Sequence, residues 1–195
     1  MSQSNRSMTV MDAIYQRRST RVFSPQRVEQ DTIRSLLAAA VRAPTAVHEE
    51  PWAFLIIQDA ALLKRLSDRV KRGFREETNR AHLDRGGHAF NVFAEPSFNV
   101  FYDSSTLIVI CAKPRGPFVS ADCWLAAENL ILAACAMGLG TCVIGSAITA
   151  LNEPEVKADL GIPADYTAVA PLIVGVPSGE SAVTSRNEPH ILAWK

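Results

Sequence analysis

The stretch Ala121 to Gly145 reads ADCWLAAENLILAACAMGLGTCVIG. Within it Leu125, Asn129, Leu132, Ala133, Ala136 and Leu139 recur at three- and four-residue steps, and Ala126, Ala127, Leu130, Ile131, Ala134 and Met137 fill the opposite side. A helix apolar on nearly every side is expected to be buried on nearly every side, and its alanines let other backbones come close. Glu128 is its only charge after the first turn. Gly138 and Gly140 supply the left-handed or otherwise unusual dihedrals that stop a helix. Thr141 to Ile144 then read as a short buried strand rich in β-branched residues. Gly145 follows at its end, where a backbone can approach a ligand closely.

GLGTCVIG is not a dinucleotide fingerprint. Its glycines fall at 138, 140 and 145 rather than in G-x-G-x-x-G spacing, and they follow a helix and precede a strand, the reverse of the Rossmann order. The stretch alone predicts a central helix and one tight backbone corner.

A chain of 195 residues suffices for one domain with a sizeable core, and residues 1–195 are read as that single domain. Twenty Lys and Arg balance twenty Asp and Glu, so no global field draws nucleic acid or an acidic membrane surface. A small near-neutral ligand suits this better. Cys111, Cys123, Cys135 and Cys142 all lie in apolar stretches without C-x-x-C spacing or neighbouring histidines, so they read as reduced core residues and no metal site is expected. The amino terminus has no apolar signal core and no span approaches the roughly 20 apolar residues of a transmembrane helix. The expectation is a cytoplasmic protein whose residues 1–8 are flexible.

Earlier in the chain, T-V-M-D at 9–12 starts a first helix that is expected to end near Arg18. Arg17-Arg18-Ser19-Thr20-Arg21 then places three guanidinium groups and two hydroxyls within five residues. Two readings fit. Cations suit a helix C-terminus, and arginine forks with hydroxyls suit a phosphomonoester. A second helix spans 30–42, ended by Pro44 acting on Ala43. A polar loop with His48 and Glu50, solvated or proton-donating, leads into WAFLII at 52–57, read as a strand buried on both faces.

Residues 60–80 read as a basic helix, with a solvated face as the default and a cation reaching a site as the alternative. The aromatic stretch 88–102, behind Gly86 and Gly87, is either a lid over a flat ligand or a loop pinned to the core. A second buried strand covers 105–112, a short helix 153–160, and a further strand 166–176 carries Pro171, which argues for a sheet edge or a bulge. The tail ends on Ile191, Leu192 and Trp194, which need a surface to cover.

Four stations in order resemble the nitroreductase family of FMN-dependent oxidoreductases, over nearly the whole chain. They are Arg17 to Arg21 with Phe23, Ala43-Pro44-Thr45 through Trp52, the central helix into Gly140 to Gly145, and Ser185-Arg186. The resemblance implies an α+β nitroreductase-like fold: a mixed β-sheet flanked by helices around a long buried central helix. It also implies a homodimer with the flavin at its interface and a tail, about 180–195, that wraps the partner.

Residues matching Arg17, Arg18, Ser19 and Arg186 hold the FMN phosphate in such proteins, and the one matching Arg21 stands by flavin N1 and the C2 carbonyl. Pro44 and Thr45 match a segment that arrives from the other subunit, His48 is a further cofactor-binding candidate, and Ile144 and Gly145 match the corner facing the isoalloxazine. His48 and Glu50 stand where members commonly carry Asn and Gln, which leaves that edge of the flavin in question. The implied activity is ping-pong transfer from NAD(P)H to a nitroaromatic, quinone or similar acceptor, with no catalytic side chain identified. Reductive substituent removal, flavin destruction and flavin binding without turnover are the alternatives on the same fold.

Overall fold

The structure, a computed structural model, describes residues 8–80, 92–93, 95–179 and 184–195, with 77–80 described by backbone alone. Four strands form one sheet: β1 (Trp52–Ile57), β2 (Thr106–Ala112), β3 (Gly140–Val143) and β4 (Thr167–Gly175), in the order β1-β2-β4-β3. The helices are α1 (Val10–Gln16), α2 (Gln30–Ala40), α3 (Ala60–Arg80), α4 (Val119–Ala136), α5 (Ile148–Leu151) and α6 (Pro154–Leu160), with 3-10 turns at Ala46–His48 and Gly145–Ala147.

Every neighbouring pair in the sheet is antiparallel, which corrects the expected mixed sheet. The strand, helix, strand rhythm of β2-α4-β3 misleads for a definite reason. β2 and β3 both run opposite to β4, so they are parallel to each other and α4 is a genuine crossover. The later β4 inserts between them, and no two parallel strands of the sheet share hydrogen bonds.

Each face of the sheet buries its own core. Ile108, Ile110 and Ala112 of β2 face α2 and α4, while Leu107, Val109 and Cys111 face α3, α5 and α6. Every residue of β2 is therefore buried. β1 is an edge strand with mostly half-buried residues, because only β2 flanks it; the expectation of burial on both faces fails there.

β4 is interior despite Pro171, so the edge reading is corrected and the bulge reading holds. The register against β2 slips between Ile110 and Cys111, leaving Val169 as the extra residue. The Pro171 carbonyl accepts from the Ile144 amide at 2.9 Å. Amide and carbonyl of one extended residue point the same way, so proline's missing donor faces the β3 side, past the last pair Val143–Leu172. No bond to β2 is lost.

Local chemistry sets the helix ends. Thr9 and Asp12 close a capping box on α1, and the Thr9 hydroxyl and amide hold the Asp12 carboxyl below its ordinary range. α1 stops at Gln16 and α2 at Ala40, each about two residues before the expected end. Gly161, at φ 70°, ends α6 in the left-handed conformation.

α4 is buried on only part of its circumference in the single chain, a further correction. Cys123, Ala126, Leu130 and Ala134 face the sheet and α2, whereas Phe118, Trp124, Leu125 and Met137 are exposed in the single chain. Among the described residues α4 alone is long and apolar enough to compare with a bilayer span, and it packs as a core helix of the fold. Fully buried Leu130 sits at the centre of this packing. Replacing it with alanine is expected to lower stability by about 2–5 kcal/mol in urea unfolding; a loss below about 1 kcal/mol contradicts the central role of α4.

Candidate functional site

Arg17 breaks α1 by turning to φ −56°, ψ 143°, and the chain then runs beside the end of the sheet. Ser19 makes an isolated parallel bridge with Thr141, and the Thr20 amide donates to the Thr141 carbonyl at 2.8 Å. Farther on, Ser24 donates to the Val176 carbonyl at 2.8 Å and Ser178 to that of Val22 at 3.0 Å. Two glycines let this strap in. A Cβ at Gly140 would lie 2.6 Å from Thr20 Oγ1 and 2.7 Å from its Cβ, and one at Gly175 would lie 2.7 Å from the Phe23 ring. Gly140 thus serves close approach rather than helix termination, which falls to Gly138 at φ 74°.

The strap presents the arginine cluster. Arg18 Nη1 donates to the carbonyls of Tyr15 at 2.7 Å and Arg17 at 2.8 Å, so for this one residue the helix-end reading holds. Arg17, Ser19 and Arg21 converge on Cys142: burial pushes its thiol up, while Arg21, a hydrogen bond with Ser19, and Arg17 pull it back. Arg21 also lies over the Tyr102 ring, 5.9 Å from its centroid. Among the described residues no carboxylate comes within ion-pair distance of Arg17, Arg18 or Arg21. Three guanidinium groups with hydroxyls beside them and no neutralising acid are a donor set for an anion, phosphate above all.

The backbone corner stands next to this cluster. Ile144 is buried and its amide is taken by Pro171. Gly145 is exposed, its amide makes no backbone bond among the described residues, and a Cβ added there meets nothing within 4 Å. The corner is open space beside a free donor.

Pro44, Thr45 and His48 lie elsewhere. They belong to a turn tied to the other end of α4, where the Ala46 amide points at both oxygens of Asp122, each 3.3 Å away. Val47, His48 and Glu50 all have positive φ, at 48°, 57° and 43°. Left-handed backbone at a β-branched residue such as Val47 is strained by about 1–3 kcal/mol, and such strain gathers at functional sites. His48 is exposed. Arg17 and Arg18 act on Cys135, whereas Ala46 rests on Asp122, 13 helical residues away, or roughly 20 Å. Arg186 lies in the exposed 184–195 segment, with no hydrogen bond or ion pair tying it to the cluster among the described residues.

Arg69 and Lys71 of α3 are engaged elsewhere. Arg69 is bound by Glu153, with Glu155 nearby. Lys71 is buried, donating to the carbonyls of Pro96 at 3.1 Å and Phe98 at 2.9 Å beside Asp68. A groove of about 500 Å³ between α3 and α6, lined by Arg65, Arg72 and Asp159, is also distinct from the arginine strap. Phe74, Phe93, Phe98 and Tyr102 form a continuous run of ring contacts and Phe101 is fully buried. The described part of the aromatic stretch is thus pinned, and residues 81–91 with the glycine hinge lie outside the described residues.

The four cysteines are free thiols, as expected. Burial raises Cys111 to about 11 and Cys123 to about 12, while Cys135 is only half-buried.

Residues 14–176 match the family model of the Nitroreductase family, and the chain belongs to that family. It is 31% identical over 181 residues to Protein DrgA of Synechocystis, covering 85% of this chain and 82% of that protein. An Archaeoglobus fulgidus protein, provisionally named NADH dehydrogenase/NAD(P)H nitroreductase, is 28% identical over 172 residues, or 86% of this chain and 84% of its own. The crystal structure of a nitroreductase with bound FMN from Bacteroides fragilis shares the fold at a TM-score of 0.78 and 24% identity, covering 92% of this chain and 94% of that one.

Gly140→Ala and Gly145→Ala separate the two glycine roles. The first drives a methyl into Thr20 and is expected to lower stability by about 1–3 kcal/mol. The second changes it by no more than about 0.5 kcal/mol. Equal urea midpoints for the two variants contradict the close approach of the strap.

Proposed function

We propose that this chain is a cytoplasmic FMN-dependent oxidoreductase that works as a homodimer, taking electrons from NADH or NADPH and passing them to a small acceptor such as a nitroaromatic or a quinone. The observation that carries the reading is the division of the candidate site along α4. The arginine strap and the Gly145 corner lie toward one end, the strained 44–50 turn at the other, so a second copy is needed to bring such halves together. The exposed apolar residues support that copy: Met11, Ile14 and Tyr15 on α1, and Trp124, Leu125 and Met137 on α4, form a face with no cover in one chain. The tail residues Leu192 and Trp194, almost fully exposed, are read as wrapping the partner.

The residues present fit the cofactor. Arg17, Arg18 and Ser19, joined by Arg186, would hold the phosphate through charge-assisted bonds that no carboxylate among the described residues competes for. Arg21 would stand by flavin N1 and the C2 carbonyl, where a fixed cation favours the anionic reduced form. Ile144 and Gly145 would leave the ring an open corner with the Gly145 amide as a donor. Pro44, Thr45 and His48 of the second copy would close its other edge. FMN, when bound, supplies the hydride chemistry, which is why no nucleophile is required of the chain. The nicotinamide donor and the acceptor use one opening in turn, giving ping-pong kinetics.

A visible absorption spectrum of the purified protein, repeated after anaerobic NADH or NADPH, tests the reading directly. A bound-flavin spectrum that bleaches is expected, and protein that takes up no FMN overturns it. The double variant Arg17→Ala, Arg186→Ala is expected to release FMN, and full occupancy would contradict the phosphate assignment. Dilution is expected to release flavin together with dissociation to monomers, whereas a flavin-replete monomer argues against the shared site.

A further inference from the structure

Asp122 is a buried carboxylate, 4% exposed, that the proposed chemistry does not use. It stands in the first turn of α4, whose N-cap residue Phe118 gives no side-chain bond, so the helix dipole favours a negative charge there. Among the described residues it has no ion pair, and its side-chain hydrogen bonds run to one group, the Ala46 amide, shared between its two oxygens at 3.3 Å. Burying a carboxylate is unfavourable unless it is put to use by a partner. The partner here is the first residue of the turn Ala46–His48, whose next two residues are both forced left-handed. Gly116, on the approach to α4, leaves the room into which the Glu49 carboxylate extends, 4.0 Å from where a Cβ would stand. Among the described residues the turn's side-chain hydrogen bond comes from α4, through Asp122, and none is made by its own side chains.

We infer that Asp122 is a positioning residue that fixes the 44–50 turn for use by the other subunit, acting in trans on a flavin site whose arginines belong to the partner chain. The inference rests on the proposed interfacial FMN site and adds to it a residue that never touches the cofactor. Asp122→Ala loosens the turn and weakens FMN binding roughly tenfold or more, because the Ala46 amide loses its side-chain acceptor. Asp122→Asn keeps an oxygen for the Ala46 amide and restores most of the affinity. Val47→Gly removes the strain at φ 48° and leaves the Asp122 contact to the Ala46 amide in place, so it is expected to keep FMN affinity within about threefold of wild type.

Complementation between subunits reads out the trans action. Asp122→Ala and Arg17→Ala chains carrying different tags are co-expressed and the mixed dimer is isolated. One of its sites then combines intact arginines with an intact turn, so the mixed dimer is expected to bind one FMN per dimer with wild-type affinity although each parent binds weakly. Should Asp122→Ala fail to fold, Asp122→Leu, which fills the same space but offers the Ala46 amide no acceptor, takes its place in the same mixture. A mixed dimer that binds no better than its parents overturns the inference, since a merely structural or same-chain role cannot be complemented. So does an Asp122→Ala protein that folds and retains full FMN affinity. Wild-type protein that binds no FMN, or Arg17→Ala protein that keeps it, fails the cofactor reading itself and is told apart by those controls.

Discussion

The packing of α4 against the sheet is the constraint on which the functional parts depend. Its 18 residues make a rod of roughly 27 Å, held by small and aliphatic side chains between α2 and β2. A rod so placed cannot shorten or slide without opening the core on one whole face of the sheet. The strap after α1 and the turn before β1 are each referred to a fixed level along it, so their separation is a property of the helix. That separation is the ground on which a site shared between two copies of the chain is proposed.

The two halves are secured by opposite means. The strap that bears Arg17, Ser19 and Arg21 is tied by backbone bonds to β3 and to the exit of β4, through gaps left by Gly140 and Gly175. Its backbone position is as firm as the sheet. The turn at 44–50 has a short 3-10 segment, three left-handed residues and one buried carboxylate behind it. Rigid placement suits the anion site proposed for the arginines, and a sprung turn suits the subunit contact proposed for residues 44–50.

Much of this was legible in the sequence where one residue type dictates one geometry. The capping box at Thr9, the apolar period of α4 and the stop at Gly161 were readable because each is decided within a few residues. The antiparallel sheet was not, because the insertion of β4 between β2 and β3 is a long-range event that leaves no mark on the local rhythm. Pro171 pointed correctly to a bulge but wrongly to an edge, since only the pairing partners reveal which side its missing donor faces. The arginine cluster stood out by composition alone. The role of Asp122 did not, for a single acid in a first helical turn normally signals only a favourable dipole. Burial of α4 was overestimated because periodicity reports which side is apolar and not whether this chain or another covers it.

The free side of β1 has a bearing on how the protein behaves when alone. Trp52 to Ile57 is six residues without charge or proline, and β2 pairs only one of its two margins. A flat apolar margin of that kind is a template for strand addition and for aggregation. A segment that supplied a strand along that margin would shield it, and β1 is where the sheet is open to growth.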